Sequence, residues 1–317
     1  MVQDTQLRKS YDCRAERALP QRIFSAALRL CVKCVRFSLR SWRLNSTYFQ
    51  GRHFTMKISE QERASGQLSA VHHKAAVEQV DMNGYVIFED LLPDDFMDTL
   101  YHEFMGVFEP HIATHGANRG VNRHQMHLPF RPPFSDERLI ANPLVLQVVD
   151  ALLGPDYICH YLASDTPLPG SDYQNTHADI HPLFPEHPTA LPAYSIVINV
   201  PLVDVTEDNG PLQIWPGGTH RHTYPATQDM IEVADSMHSE RVLMKRGSVL
   251  IRDSRMWHRG TPNRSGSPRP NYALIYSRHW LRLKYPQIDI PRATYDALSE
   301  RAQHLFRLEN IIEETLS

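Results

Sequence analysis

The chain has 317 residues with 33 Lys+Arg, 36 Asp+Glu and 18 His, for a net charge of −3. That length can bury a large core in one or two domains, and the near-balanced charge gives no nucleic-acid signal. A hydrophobic fraction of 42% and a charged fraction of 22% are ordinary for a soluble globular protein.

The charge is unevenly placed. Residues 1–55 hold 11 Lys+Arg against 3 Asp+Glu, and the remainder holds 22 against 33. Three of the four cysteines, Cys13, Cys31 and Cys34, also fall in that leader, leaving only Cys159 for the body. No disulfide framework can form there, which points to a reducing, cytoplasmic setting. The helical run Ile23–Leu44 is interrupted by Arg29, Lys33, Arg36, Arg40 and Arg43, so it is no membrane span. Arg-rich, Ser-containing and acid-poor, the leader resembles a mitochondrial transit peptide, and a mitochondrial address follows if it is one. The other reading is a non-native start, with Met56 opening the globular protein. Cys31 and Cys34 lack a second pair or a preceding redox-type strand and read as small apolar residues on the helix. The expected division is an extension over 1–55 and one domain over 56–317.

The spacing predicts a short helix from about Ser65 to Val80, ended by the turn signal Asp81-Met82-Asn83-Gly84. Tyr85–Phe88 reads as a strand. Behind Pro93, Phe96, Leu100 and Phe104 recur every four residues with Met97 and Tyr101 beside them, marking one apolar helix face. No periodicity is visible between Glu109 and Asp136, a stretch holding Arg119, Arg123 and His127 that reads as a lid or binding loop, or as a wrapped surface segment. Pro143–Leu153 is helical and stops at Gly154-Pro155.

From Tyr157 the texture changes to strands. Tyr157–Leu162, Tyr194–Val205, Arg241–Met244, Ser248–Ile251 and Asn271–Tyr276 are rich in Val, Ile, Leu and Tyr. Asp208-Asn209-Gly210-Pro211, Pro216-Gly217-Gly218 and Arg246-Gly247 are turn signals between them. Close strands with long returns predict a mainly β fold with flanking helices and a double-stranded β-helix core, the jelly roll of cupin-like proteins, over about 157–282. Pro201 marks a bulge or a change of sheet. A last helix is expected over Thr294–Arg307.

Within this β region lies Gln174-Asn175-Thr176-His177-Ala178-Asp179. Side chains two apart on an extended segment share a face, so His177 and Asp179 offer an imidazole nitrogen and a carboxylate oxygen to one point. His258 comes 79 residues after Asp179, far enough for several strands to return it. Two histidines and one carboxylate with open positions suit a non-haem Fe(II) oxygenase. Arg269, eleven residues beyond His258, can grip a carboxylate in a bidentate fork, as 2-oxoglutarate would need. The rival His238-Ser239-Glu240 is set aside because Glu240 lies only 18 residues from His258.

With these residues placed, roughly residues 78 to 282 resemble the phytanoyl-CoA dioxygenase family of Fe(II)/2-oxoglutarate oxygenases. The likeness rests on Asn83-Gly84-Tyr85, on Gln174-x-x-His177-x-Asp179, on Asp208-Asn209-Gly210-Pro211-Leu212 leading to Pro216-Gly217-Gly218-Thr219-His220-Arg221, and on His258 with Arg269. The resemblance implies Fe(II) held by His177, Asp179 and His258, with 2-oxoglutarate and O2 as cosubstrates. It assigns Arg269 to the distal carboxylate of 2-oxoglutarate, and Gln174 to a further contact. Leu212 stands where some relatives carry a Thr contact. His220 matches a structural loop position, so His258 is preferred as third ligand. Because relatives that halogenate have Gly or Ala at the carboxylate position, Asp179 favours hydroxylation or another oxidative outcome over halogenation; the expected reaction is hydroxylation of a small metabolite or acyl substrate, with succinate and CO2 released. Desaturation, ring formation, or a jelly roll holding another metal without turnover are the alternatives. Neither a nucleic-acid partner nor a membrane span is expected.

Overall fold

The computed structural model describes residues 54–184, 186–187, 190–222 and 228–313. The expected helical run Ile23–Leu44 and the Cys31/Cys34 pair lie outside the described residues. Strand β1 (Thr55–Lys57) runs parallel to β2 (Tyr85–Glu89), and the ring of Phe54 meets that of Tyr85 edge-on at 5.8 Å. Phe54 and Thr55, on the leader side of the sequence boundary, are therefore part of the body.

The single helix expected before β2 is two helices, α1 (Glu60–Ser65) and α2 (Ala70–Asn83). Ser59 caps the first in a capping box with Glu62, Gly66 ends it in the left-handed region at φ 65°, and Ser69 caps the second. Next, α3 (Asp94–Thr114) buries Phe96, Met97, Leu100, Phe104 and Phe108 and continues through Pro110. The stretch read as a long loop also contains β3 (Arg123–His127), a polar edge strand that hydrophobic alternation does not reveal. Two helices follow, α4 (Glu137–Ile140) and α5 (Pro143–Leu153), the latter capped by Asn142.

The β region contains β4 (Tyr157–Pro167), β5 (Ser195–Pro201), β6 (Leu212–Ile214), β7 (Glu240–Val242), β8 (Val249–Asp253), β9 (His258–Gly260) and β10 (Asn271–Arg278). Helix α6 (Gln228–Ser236) precedes β7. The larger sheet has the order β1-β2-β8-β5-β10-β4-β3, and the smaller one the order β7-β6-β9. Isolated bridges His177↔His258, Val205↔Met244 and Asn209↔Asn263 extend the smaller sheet. Strand β5 ends at Pro201, and the chain then pairs Val205 with Met244, which is the change of sheet expected there. This is the mainly β, helix-flanked jelly roll read from the sequence.

Alternation sorts the larger sheet into two faces. Ile196, Ile198, Ile251, Tyr272 and Leu274 join the core formed with α2, α3 and α5. Val197, Ala273, Ile275 and Tyr161 form a separate cluster on the opposite face, and Asn199, Leu250, Arg252 and Asn271 line a cavity there. Past β10, β11 (Asp289–Pro291) pairs with β12 (Asn310–Ile312), enclosing α7 (Arg292–Asp296) and α8 (Glu300–Phe306). The expected final helix is thus divided, because Ser299 caps a new helix by accepting from the Ala302 amide. Among the described residues no helix is long and apolar enough to cross a membrane.

Candidate metal and cosubstrate site

The segment 174–179 is extended and stitched to the strands on which the second half of the site lies. Gln174 N donates to Gly260 O at 3.0 Å, and His177 and His258 exchange backbone bonds of 2.9 Å in both directions. Asp179 N then donates to Ser254 O at 2.9 Å. In an antiparallel pair that exchanges both bonds, directly opposed side chains leave the sheet on one face. The sequence spacing therefore becomes geometry: ligand atoms of His177, Asp179 and His258 all lie within 4.8 Å of one another.

Both imidazoles are oriented by the main chain. His177 Nδ1 lies 2.7 Å from Asn175 O, and His258 Nδ1 lies 2.9 Å from Met256 O. A proton on Nδ1 satisfies those carbonyls and leaves Nε2 of each ring as the free donor atom for a metal. Asp179 Oδ1 stands 3.4 Å from His258 Nε2, while Oδ2 accepts a 2.6 Å bond from Arg252 Nη2. Burial lowers His177 to about 4, with neighbouring His258 adding to the effect, so the ring is neutral near pH 7. Burial by itself would raise the Asp179 carboxyl, but Arg252 and His258 hold it well below the usual carboxylate range. Two imidazoles, that of His177 neutral, and one ionised carboxylate fit a divalent iron.

The same cavity, of about 90 Å³, extends from the triad to Arg269. Arg269 is 6% exposed; its Nη2 donates to Gly210 O at 2.7 Å, and its Nε is buried with no partner. Burial brings its guanidinium down to about 10, opposed by the Asp165 carboxylate and reinforced by Arg123, so it remains a cation at neutral pH. A buried cation with unused donors fits a carboxylate ligand. Arg123 is fully buried, and its Nη2 donates to Thr261 O at 2.9 Å. A Cβ at position 260 would sit 2.5 Å from that guanidinium, which is why β9 ends in glycine. Gln174 also lines the cavity, but its Oε1 accepts from Gly260 N at 2.9 Å and its Nε2 donates to Arg119 O at 3.2 Å.

The phytanoyl-CoA dioxygenase family profile matches residues 80–271. The chain belongs to the phytanoyl-CoA dioxygenase family. It is a 2-oxoglutarate-dependent non-haem iron enzyme, with Fe(II) as the cofactor and 2-oxoglutarate and O2 as the cosubstrates the family uses. Solved structures share its fold. EctD from S. alaskensis, determined with 2-oxoglutarate and 5-hydroxyectoine, is 21% identical, with a TM-score of 0.51 over 66% of this chain and 76% of that one. The epimerase SnoN of nogalamycin biosynthesis, in complex with Fe3+, alpha ketoglutarate and nogalamycin RO, is 17% identical, with a TM-score of 0.52 over 66% of this chain and 84% of its own. AviO1 from Streptomyces viridochromogenes is 17% identical, with a TM-score of 0.51 over 68% and 99%.

The rival residues of this family member stand apart from the triad. His220 Nε2 lies 2.9 Å from Asp81 O, and its Nδ1 is so close under Gly84 that a Cβ there would approach to 3.0 Å. His238 is exposed and lies 3.2 Å from Glu240, whose other oxygen accepts from Tyr85 OH at 3.1 Å. Leu212 lines the cavity with an apolar side chain. Arg252 and Asp165 were not singled out in the sequence, and Arg123 was read only as part of a lid, binding loop or wrapped surface segment. The one legible signal was Arg252, a charge ending the apolar run Val249-Leu250-Ile251 within β8.

Proposed function

We propose that His177, Asp179 and His258 hold Fe(II), and that the enzyme hydroxylates a small-molecule metabolite or acyl substrate while converting 2-oxoglutarate to succinate and CO2. The observation that carries this reading is the convergence of the three donor atoms in one cavity with the buried, incompletely partnered Arg269. Bound iron supplies the oxidising chemistry, and the protein supplies placement and exclusion of water. Arg269 anchors the distal carboxylate of 2-oxoglutarate through its unused donors. Gln174 ties the segment around Arg119 to β9 and so shapes the cosubstrate end of the cavity, its amide being engaged at both ends by backbone groups. Leu212 takes the place of a polar contact with an apolar one.

The test is succinate formation by the Fe(II)-loaded enzyme given 2-oxoglutarate and a metabolite extract, with mass analysis of the consumed compound. Hydroxylation yields a product heavier by one oxygen atom. A product lighter by two hydrogens would assign desaturation or ring formation instead. Binding of another metal with no 2-oxoglutarate consumption would overturn the proposal.

A further inference from the structure

Arg252 is the penultimate residue of β8, in which Val249 and Ile251 face the apolar core while Leu250 and Arg252 line the metal cavity. A guanidinium only 5% exposed is a costly occupant of such a position unless its donors are matched. They are matched in part. Nη2 donates to Asp179 Oδ2 at 2.6 Å, Nε donates to Asn199 Oδ1 at 3.2 Å, and Nη1 is buried without a partner. The two oxygens of Asp179 are thereby made unlike. Oδ2 is held by Arg252, whereas Oδ1 stands 3.4 Å from His258 Nε2, on the side where the imidazoles converge. The Asp179 main chain is fixed as well, through its amide on Ser254 O.

Building on the assignment of Fe(II) to this triad, we propose that Arg252 is a positioning residue that restricts Asp179 to binding the metal through one oxygen. A carboxylate free to turn can chelate a hard divalent ion through both oxygens. The charge-assisted bond to Arg252 keeps the second oxygen occupied. One coordination position then stays open for cosubstrate or water that a chelating Asp179 would fill. A plain strut between β8 and β5 would need only the Asn199 contact and would not engage the ligand itself.

The test uses the full chain loaded with Mn(II), reading water-proton relaxation per bound ion. Three protein atoms on a six-coordinate ion leave about three waters. Arg252→Gln, or Arg252→Met if the first does not fold, lets Asp179 chelate, and relaxation per bound Mn(II) falls by roughly a third. 2-Oxoglutarate affinity of the Mn(II) protein falls about tenfold with it, or about 1.4 kcal/mol. Arg252→Lys, which keeps a charged donor, restores most of the wild-type relaxation. A strut role would change melting temperature or metal content while leaving relaxation per bound ion unchanged. Wild-type relaxation per ion in both neutral variants, or no recovery with Lys, overturns the proposal. Failure of the wild-type chain to bind Mn(II) at all would instead sink the triad assignment on which it rests.

Discussion

His177 and His258, 81 positions apart in the chain, are directly opposed and exchange both backbone hydrogen bonds at 2.9 Å. Their rings lie 4.3 Å apart between centroids. The candidate metal site is thus a property of strand pairing, with little left to side-chain flexibility. A shift of one residue in this register would turn one imidazole to the far side of the sheet. At Gly260, two residues beyond His258, a Cβ would meet the Arg123 guanidinium at 2.5 Å, so the absence of a side chain there lets Arg123 lie against β9.

The cosubstrate anchor makes a quantitative prediction. Truncating one partner of a charge-assisted pair shielded from water costs about 2–5 kcal/mol. Arg269→Ala should weaken 2-oxoglutarate binding by roughly thirty-fold to several thousand-fold at unchanged iron affinity, as read by anaerobic titration of the Fe(II) protein. Arg269→Lys should recover part of the loss, because an ammonium lacks the planar fork. Arg264, exposed in its loop, is the control. Unchanged affinity in Arg269→Ala with a loss in Arg264→Ala would move the anchor.

The boundary of the body predicts a small, directional effect of truncation. A chain beginning at Met56 loses the Thr55↔Ile87 pairing and the Phe54–Tyr85 ring contact, and should be less stable by about 1 kcal/mol than one beginning at Phe54. Both should bind iron. The full chain and the Phe54 start should melt alike, and a further large fall in melting temperature between them would show that residues 1–53 stabilise the body.

Glu62 ties stability to pH. Burial by itself would raise its carboxyl, but the amides of Ser69 and Ser59 and the Ser59 hydroxyl hold it down at about 2. A depressed carboxyl stabilises the fold fully above its unfolded value of about 4.3, and that contribution is lost as pH falls toward 2. Glu62→Gln should cost about 1–3 kcal/mol at pH 7. Denaturation across pH should show the gap between wild type and variant narrowing below about pH 4.5. A gap constant across pH 2–7 would contradict the assignment.

The jelly roll and the convergence of His177, Asp179 and His258 were legible because both depend on patterns the chain carries openly. Apolar strands around Pro201 and Gly210 announce the sheets, and a His-x-Asp pair on an extended segment fixes a shared face. What stayed hidden was β3, whose residues Arg123, Gln125 and His127 alternate with His124 and Met126 and so lack an apolar signature. The split of the last helix was hidden too, because Ser299 reads as an ordinary helical residue until its side chain is seen to cap. Arg252 showed only as a charge at the end of an apolar strand; its partner Asp179 lies 73 positions earlier, a pairing that no local pattern encodes.

Under the proposed function His258, and not His220, completes the metal site. Iron content and Fe(II) affinity should be measured anaerobically for wild type, His177→Ala, Asp179→Ala, His258→Ala and His220→Ala, with circular dichroism confirming that each is folded. About one iron is expected per wild-type chain and per His220→Ala chain, with loss of iron in the other three. Retention of iron by His258→Ala together with its loss in His220→Ala would contradict the assignment of His258.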